Sequence, residues 1–191
     1  MAERKTGSSG SGSRRRSRNR QFEEEREELD ERVVDITRVS KVVKGGRTFG
    51  FRVTAVVGDN RGQVGFGIGK ARTVPDAITK ATQRARKDMH PIPLEGTTIP
   101  HEVIGRCGGA RVLLRPATQG TGVIAGGGVR AVLSAAGIND VLTKSLGSST
   151  AVNVVQATMD GLNQLRRVEQ VADERDKPVA EVMPFWRRRE S

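Results

Sequence analysis

Glycine-rich stretches followed by basic side chains are the parts of this sequence whose residue types most directly suggest a chemistry. The first is GQVGFGIGKA, residues 62–71, in which glycines alternate with Val64, Phe66 and Ile68 and precede Lys70. Glycine loops followed by lysine bind nucleotide phosphates in many enzymes, because their backbone N–H groups point at the anion. A phosphate-binding loop is therefore the first hypothesis to test.

The nucleotide-binding motifs do not fit this stretch. A Walker loop needs glycine five residues before the Gly–Lys pair and Ser or Thr after it, where the chain has Val64 and Ala71. The dinucleotide pattern GxGxxG also fails, since Lys70 or Arg72 stands at its third glycine. Because no cluster of acid, base and nucleophile accompanies the glycines, we predict no enzyme and no cofactor. A nucleotide-dependent ATPase or kinase is the weaker alternative.

A β-strand explains the alternation better. Successive side chains of a strand point to opposite faces, so Gly65, Gly67 and Gly69 share one face and the three apolar residues between them share the other. We expect the apolar face to lie under the helix that follows this strand. The bare glycine face permits close approach of another backbone, which is either RNA or a neighbouring domain.

Three strands and a helix are predicted in the first half of the chain. Residues 32–43 are rich in β-branched side chains, residues 49–57 alternate between apolar and other side chains, and turn residues separate the strands. A helix over residues 74–89 begins with Pro75 and carries a buried stripe of small and apolar residues. A second stripe, Lys80, Arg84 and Lys87, is either a polyanion contact or a solvated face.

Prolines between residues 91 and 100 indicate a linker or a stiff crossover before a second unit, which has the order β-β-α-β-α. Its predicted strands are residues 98–105, 111–116 and 141–146. Its first helix follows the glycines at 126–128 and ends at Gly137, and residues 147–149 cap a longer helix. The predicted division is an extension over 1–31, domains over 32–96 and 97–168, and a tail over 169–191.

Charge favours a polyanionic partner. Residues 1–20 carry seven Lys or Arg and one Glu, whereas residues 21–31 carry seven acids and one Arg, so the rest of the chain keeps the full net charge of +11. We expect residues 1–31 to be disordered, and the basic arm is either a nucleic-acid contact or a solvated tail. No basic helix with a bulky apolar face suits a membrane surface.

Other residue types narrow the function further. The single cysteine, Cys107, excludes an internal disulfide and a zinc cluster built on cysteines. The two histidines, His90 and His101, are too few and too far apart in the sequence for a metal site, so we predict no metal. Neither a signal peptide nor an apolar run long enough for a membrane span is present, and we expect a cytoplasmic protein. Aromatic residues are scarce, so base stacking is not the expected mode of binding.

Two long stretches resemble one protein family. GGRTFGFRVTAVVGDNRGQVGFGIGKARTVPDAITKA, residues 45–81, is similar to the first domain of bacterial small-subunit ribosomal protein five, and residues 111–158 are similar to its second. The Arg-rich N terminus resembles actinobacterial members. The resemblance implies a mixed α/β (α+β) fold: a double-stranded-RNA-binding-like β-β-β-α domain, then a β-β-α-β-α domain with a left-handed βαβ crossover.

The resemblance also implies a function. The protein would be a structural constituent of the small ribosomal subunit that binds its ribosomal RNA, supports assembly and influences decoding accuracy. Implied partners are ribosomal proteins four and eight, close to where messenger RNA enters. A free-standing regulator that binds double-stranded RNA is the rival, although it leaves the second domain unexplained.

Site residues follow from the same resemblance. The Gly109, Ala110 and Arg111 neighbourhood matches the surface that faces ribosomal protein four. The residues matched to RNA contacts or suited to them by charge are glycines, hydroxyl-bearing residues, one glutamine and cations: Lys41, Lys44, Gly45, Gly46, Arg47, Thr48, Arg52, Lys70, Arg72, Gln119, Gly120, Thr121, Gly122, Gly126, Gly127, Lys144, Ser148 and Ser149. Backbone N–H groups of the glycine loops and of the helix after Gly147 are expected to add donors for phosphate.

Overall fold

The first half of the chain forms an antiparallel four-stranded sheet with one helix. A computed structural model describes residues 29–182, so the expectations for residues 1–28 and 183–191 lie outside the described residues. The first sheet has the order β1-β2-β3-β4. Its elements are β1 (Asp30–Val43), β2 (Gly46–Gly58), β3 (Gln63–Ala71), α1 (Val74–Lys87) and β4 (His90–Pro91).

The second half contains the βαβ unit. Its sheet has the order β5-β6-β8-β7 and is antiparallel except for the pair of β7 with β8, which α2 connects. The elements are β5 (Val103–Cys107), β6 (Ala110–Pro116), β7 (Val123–Ile124), α2 (Gly127–Ala135), β8 (Val141–Gly147), α3 (Ala151–Asn163), α4 (Val168–Glu174) and α5 (Val179–Val182). The mixed α+β class, with a β-rich first half and a βαβ second half, is confirmed.

Several element bounds differ from those expected. β1 begins two residues earlier than predicted, and β5 spans Val103–Cys107 in place of residues 98–105. The short strands β4 and β7 were not predicted. α4 begins at Val168, the last residue of the second predicted domain, and α5 lies in the expected tail. α1 begins after Thr73, whose hydroxyl accepts the Asp76 backbone N–H, as Pro75 and Asp76 suggested. The division of the chain into domains stays a prediction.

The two faces of β3 are used in the reverse of the expected way. α1 lies on the glycine face, where a Cβ at Gly65, Gly67 or Gly69 would collide with backbone atoms of α1. The facing residues of the helix are Ala77, Ala81 and Ala85, all fully buried. The expectation that the apolar face lies under the helix is therefore wrong, because bare glycine lets a helix approach more closely than Val or Phe would.

The apolar face of β3 instead packs against the second half. Val64, together with Val56 of β2, belongs to one core with Val132 and Leu133 of α2 and Leu114 of β6. The β2–β3 turn also hydrogen-bonds to the end of α2: the Asn60 and Gly62 N–H groups donate to the carbonyl oxygens of Ala135 and Ala136, at 3.0 Å each. These N–H groups satisfy carbonyls that a helix end leaves free.

The segment between the two sheets is held by the same core. Ile92 and Ile99 are buried within it. Further on, the backbone N–H groups of Asn139 and Asp140 donate to the Thr97 carbonyl oxygen, at 2.9 and 3.0 Å. Of the two earlier alternatives, the stiff crossover fits these contacts and the flexible linker does not.

The contact between α1 and β3 predicts the effect of adding one methyl group. Gly67→Ala would push a Cβ into the Ala81 carbonyl of α1, and overpacking of this kind lowers the free energy of unfolding by about 3 kcal/mol. Gly45→Ala is the matched control, because nothing lies within 4 Å of its Cβ position and the change should stay within about 0.5 kcal/mol. Urea denaturation of both variants measures the difference. Equal stabilities would contradict the helix position.

Candidate nucleic-acid interface

The β1–β2 hairpin extends cations away from the body of the protein. Val43 pairs with Gly46 across a two-residue turn, Lys44-Gly45, and Gly46 has a φ of +136°, which glycine adopts without strain. Every residue of 41–49 is exposed. Among residues 29–182, no acidic side chain forms an ion pair with Lys41, Lys44 or Arg47. Their charge is thus available to an external anion.

The strand register gathers further predicted cations on one face of the first sheet. Arg52 pairs with Lys70 of β3, and Lys41 pairs with Thr48 of β2. By the alternation of side chains, these residues share the face that Val56 presents to α2. Because α2 covers only the far end of this face, the hairpin end of it remains open and basic. Arg72, just beyond β3, is also exposed.

The N-terminus of α2 lies at the border of that open face. A Cβ placed on Gly128 would lie 3.5 Å from Val34 of β1, whereas Gly126 and Gly127 face open space. Arg130 is the first residue whose N–H bonds within the helix, to the Gly126 carbonyl at 2.7 Å, and no side chain caps the end. The preceding N–H groups are the type of donor that binds phosphate.

Two buried polar atoms at this border lack a hydrogen-bond partner among the described residues. They are Nε of Arg52 and Oγ1 of Thr54, a residue that is only 1 % exposed. Thr54 lies two residues from Arg52 on the same face of β2 and pairs with Asp35, next to Val34. A buried polar group without a hydrogen bond is costly, so these two atoms lower the stability of the folded protein at this border.

The predicted RNA loop over residues 119–122 does not offer all of its N–H groups to the outside. The Gly122 N–H donates to Oδ1 of the buried Asp140, at 2.9 Å, and the Thr121 N–H donates to the Thr118 carbonyl, at 3.1 Å. The Thr97 hydroxyl donates to the other oxygen of Asp140, at 2.7 Å. The expectation that this loop supplies phosphate-binding N–H groups is therefore wrong for Gly122 and Thr121.

Electrostatics keep this carboxylate ionised. The Thr97 hydroxyl, and after it the Gly122 N–H, lower the pKa of Asp140 below its ordinary value, and the N–H groups of Gly120 and Thr121 act in the same direction. Burial opposes them by raising the pKa, but it does not outweigh the hydrogen bonds. A negative charge thus lies directly behind the loop.

The predicted partner surface and the start of α3 meet at one end of the second sheet. Ser148 N–H donates to the Gly109 carbonyl, at 2.9 Å. Gly109 and Arg111 are exposed, but Ala110 is fully buried, so its side chain does not belong to a surface as expected. The N-cap of α3 is Thr150, and residues 147–149 precede it, which corrects the expected cap.

The predicted residues therefore form two groups. Lys41, Arg52 and Lys70 share a face of the first sheet with the start of α2, while Lys144 pairs with Leu113 on the outer face of the second sheet, on the side of Arg111. The sequence reasoning missed Arg38, whose guanidinium lies 3.9 Å from the Phe49 ring centre. It also missed Arg130, which donates to the Val123 carbonyl at 2.9 Å, although its place in the first turn after the glycines was a usable signal.

Within residues 29–182, no group of three or more His, Cys, Asp or Glu side chains is placed to hold a metal ion. None of the helices described in this range is long and apolar enough to cross a membrane.

Comparison with known families gives a match for each half of the chain. Residues 29–93 match the family model described as ribosomal protein S5, N-terminal domain. Residues 105–175 match the family model described as ribosomal protein S5, C-terminal domain. The two matches follow each other in the expected order and together cover most of the chain, which confirms the resemblance noted in the sequence.

The lowered pKa of Asp140 predicts a pH dependence of stability. A carboxylate with a lowered pKa in the folded state stabilises the protein above its unfolded pKa, near 3.8, and this contribution disappears as the pH falls through the folded pKa. The difference in free energy of unfolding between wild type and Asp140→Asn should therefore be largest above about pH 5 and become smaller as the pH falls below the pKa of the unfolded state. Urea denaturation from pH 3 to 6 measures it.

Thr97→Val is the control for this titration. It removes the largest cause of the lowered pKa and should weaken the pH dependence without abolishing it. If the free energy of unfolding changed with pH in the same way for the wild type and Asp140→Asn, Asp140 would have the same pKa in the folded and the unfolded protein, which would contradict the prediction.

Proposed function

The chain belongs to the ribosomal protein S5 family, and from this premise we propose that it braces ribosomal RNA in the small subunit, supports subunit assembly and influences decoding accuracy. At the level of the family, it is a structural, non-enzymatic component of the small ribosomal subunit that binds ribosomal RNA and other ribosomal proteins. The residues that make these contacts are the finer part of the proposal.

One observation carries the assignment of the RNA surface. Cations of the hairpin and of the open face of the first sheet have no acidic partner among the described residues, and the uncapped start of α2 borders the same face. Repulsion among such cations is relieved by an external polyanion. Each phosphate that they neutralise releases condensed counterions, so the affinity falls as salt rises.

The mode of binding follows from what this surface contains. The sequence has one Trp, five Phe and no Tyr, which leaves few rings on which bases could stack. Structured RNA would therefore be bound through its shape, its phosphates and its 2′-hydroxyls. Because the two sheets share one core, RNA segments held by the two halves would be kept at a fixed separation.

Protein partners belong to the same proposal. Gly109 and Arg111 lie on an exposed end of the second sheet, next to Ser148, and this end suits a contact with ribosomal protein four. The exposed side of α3 is the weaker candidate for ribosomal protein eight. Placement of the hairpin near the path by which messenger RNA enters would connect these contacts to decoding.

Sedimentation of cell lysate through a sucrose gradient tests the function as a whole. The chain is expected to migrate with small subunits and whole ribosomes and to dissociate only at high salt, since phosphate contacts dominate. A chain that stays at the top of the gradient at low salt would contradict the ribosomal role. The hypothesis of a free-standing protein that binds double-stranded RNA would then be preferred.

Charge reversal at the hairpin tests the RNA surface. Lys44→Glu and Arg47→Glu should each weaken binding to small-subunit ribosomal RNA about tenfold, because each removes one cation. The slope of log affinity against log salt concentration should become shallower by about the amount that one phosphate contact contributes. Filter binding over a range of salt concentrations measures both quantities. The free energy of unfolding should stay within about 0.5 kcal/mol, as both side chains are exposed.

Lys80→Glu is the matched control, since Lys80 is an exposed cation of α1, outside the proposed surface. An equal loss of affinity for Lys80→Glu would show that only the total charge matters. Loss of the fold with unchanged affinity per folded molecule would instead overturn the hairpin assignment.

A further inference from the structure

Asp140 is a buried carboxylate that joins three separate segments of the chain. It is only 4 % exposed and lies between α2 and β8. Its Oδ2 accepts from the Thr97 hydroxyl, at 2.7 Å, and its Oδ1 accepts from the Gly122 N–H, at 2.9 Å. The Asp140 N–H in turn donates to the Thr97 carbonyl, at 3.0 Å. One side chain therefore fixes the loop of residues 119–122 to the crossover between the sheets.

The glycines of this loop are required by its backbone and not by packing. Gly120 and Gly122 have φ values of +88° and +78°, and nothing lies within 4 Å of a Cβ at either position. This conformation turns the Gly122 N–H inward to the carboxylate. A second hydrogen bond stabilises the loop: the Thr121 hydroxyl donates to the Thr118 carbonyl at 2.7 Å.

The consequence concerns what the loop can bind. The Gly122 N–H points to Asp140 and the Thr121 N–H points to the Thr118 carbonyl, so neither points to a ligand. A buried negative charge behind the loop also disfavours a phosphate in front of it. Gln119 and Gly120 are exposed. A surface of this kind suits groups that donate hydrogen bonds, such as the 2′-hydroxyls and base amino groups of RNA.

We propose that Asp140 is a positioning residue for RNA recognition: it holds the 119–122 loop in a conformation that meets the sugar edges and bases of RNA and not its phosphates. The proposal rests on the function proposed above, because the loop is taken as an RNA contact. It assigns phosphate binding to the hairpin and the start of α2, and sugar and base contacts to this loop.

Substitutions at Asp140 separate this role from its alternatives. Asp140→Ala leaves the Gly122 N–H without its acceptor, so we expect binding to small-subunit ribosomal RNA to weaken about tenfold per folded molecule. The salt dependence should stay unchanged, in contrast to Lys44→Glu, because no phosphate contact is lost. If the loop bound phosphate, loss of the negative charge would strengthen binding and steepen its salt dependence.

Conservative variants supply the controls. An Asn at 140 can accept from the Gly122 N–H and donate to the Thr97 hydroxyl, so Asp140→Asn should restore affinity to within about twofold of wild type. Thr97→Val removes the bond on the far side of the carboxylate and should also stay within about twofold. Should Asp140→Ala fail to fold, Asp140→Glu replaces it: this variant keeps the charge, displaces the carboxylate by one methylene and should weaken binding.

Amide hydrogen exchange of the free protein gives a readout that is independent of RNA. The Gly122 amide should exchange at least about tenfold faster in Asp140→Ala than in wild type, and Thr97→Val should leave it protected. Unchanged protection, or unchanged affinity per folded molecule, would overturn the role of Asp140. A wild-type protein that shows this protection but does not bind the ribosomal RNA would contradict the proposed function instead.

Discussion

The short distance between α1 and the first sheet is the constraint on which the rest of the structure depends. Backbone carbonyls of the helix occupy the places where side chains of Gly65, Gly67 and Gly69 would otherwise lie. Only glycine on the strand and alanine on the helix permit this approach. With that face filled, the bulky residues of β3 must lie on the opposite face, where they need a second partner. α2 provides it, and the two sheets thereby share one core.

Glycines allow close contact with the backbone of a helix at two further places in the fold. A Cβ at Gly105 of β5 would collide with backbone atoms of Ala157 and Gly161 in α3, and one at Gly58 would collide with Ala135 of α2. Close backbone approach thus replaces large side chains in a chain with only six aromatic residues among 191. Many glycines that suggest phosphate loops in the sequence therefore serve packing, whereas those of the hairpin turn, the 119–122 loop and the start of α2 (Gly126 and Gly127) have open space at the Cβ position.

The sequence was sufficient to predict the local elements of the first half but not the tertiary contacts between elements. Runs of β-branched residues, alternation, turn residues and helical spacing predicted β1, β2, β3 and α1, because these signals are local. They could not predict which face of β3 receives the helix, since alternation defines two faces without naming the partner of either. Similarly, the Gly122 N–H looked available because its acceptor, Asp140, lies 18 residues away. The family resemblance supplied the function, but burial of Ala110 depended on tertiary packing.

The proposed division of contacts would also account for selective binding of RNA by a basic protein. If every contact were a cation on a phosphate, the protein would bind any nucleic acid of suitable charge, because phosphates carry no sequence information. Under the proposal above, the buried carboxylate behind the 119–122 loop opposes that outcome locally, since it binds the Gly122 N–H and its negative charge disfavours a nearby phosphate. The strand that carries the hairpin and the helix that precedes Asp140 both contribute to one core, through Val56 and Val132. Two unlike contacts built on this core would favour an RNA that presents phosphates to the hairpin and sugar edges to the loop.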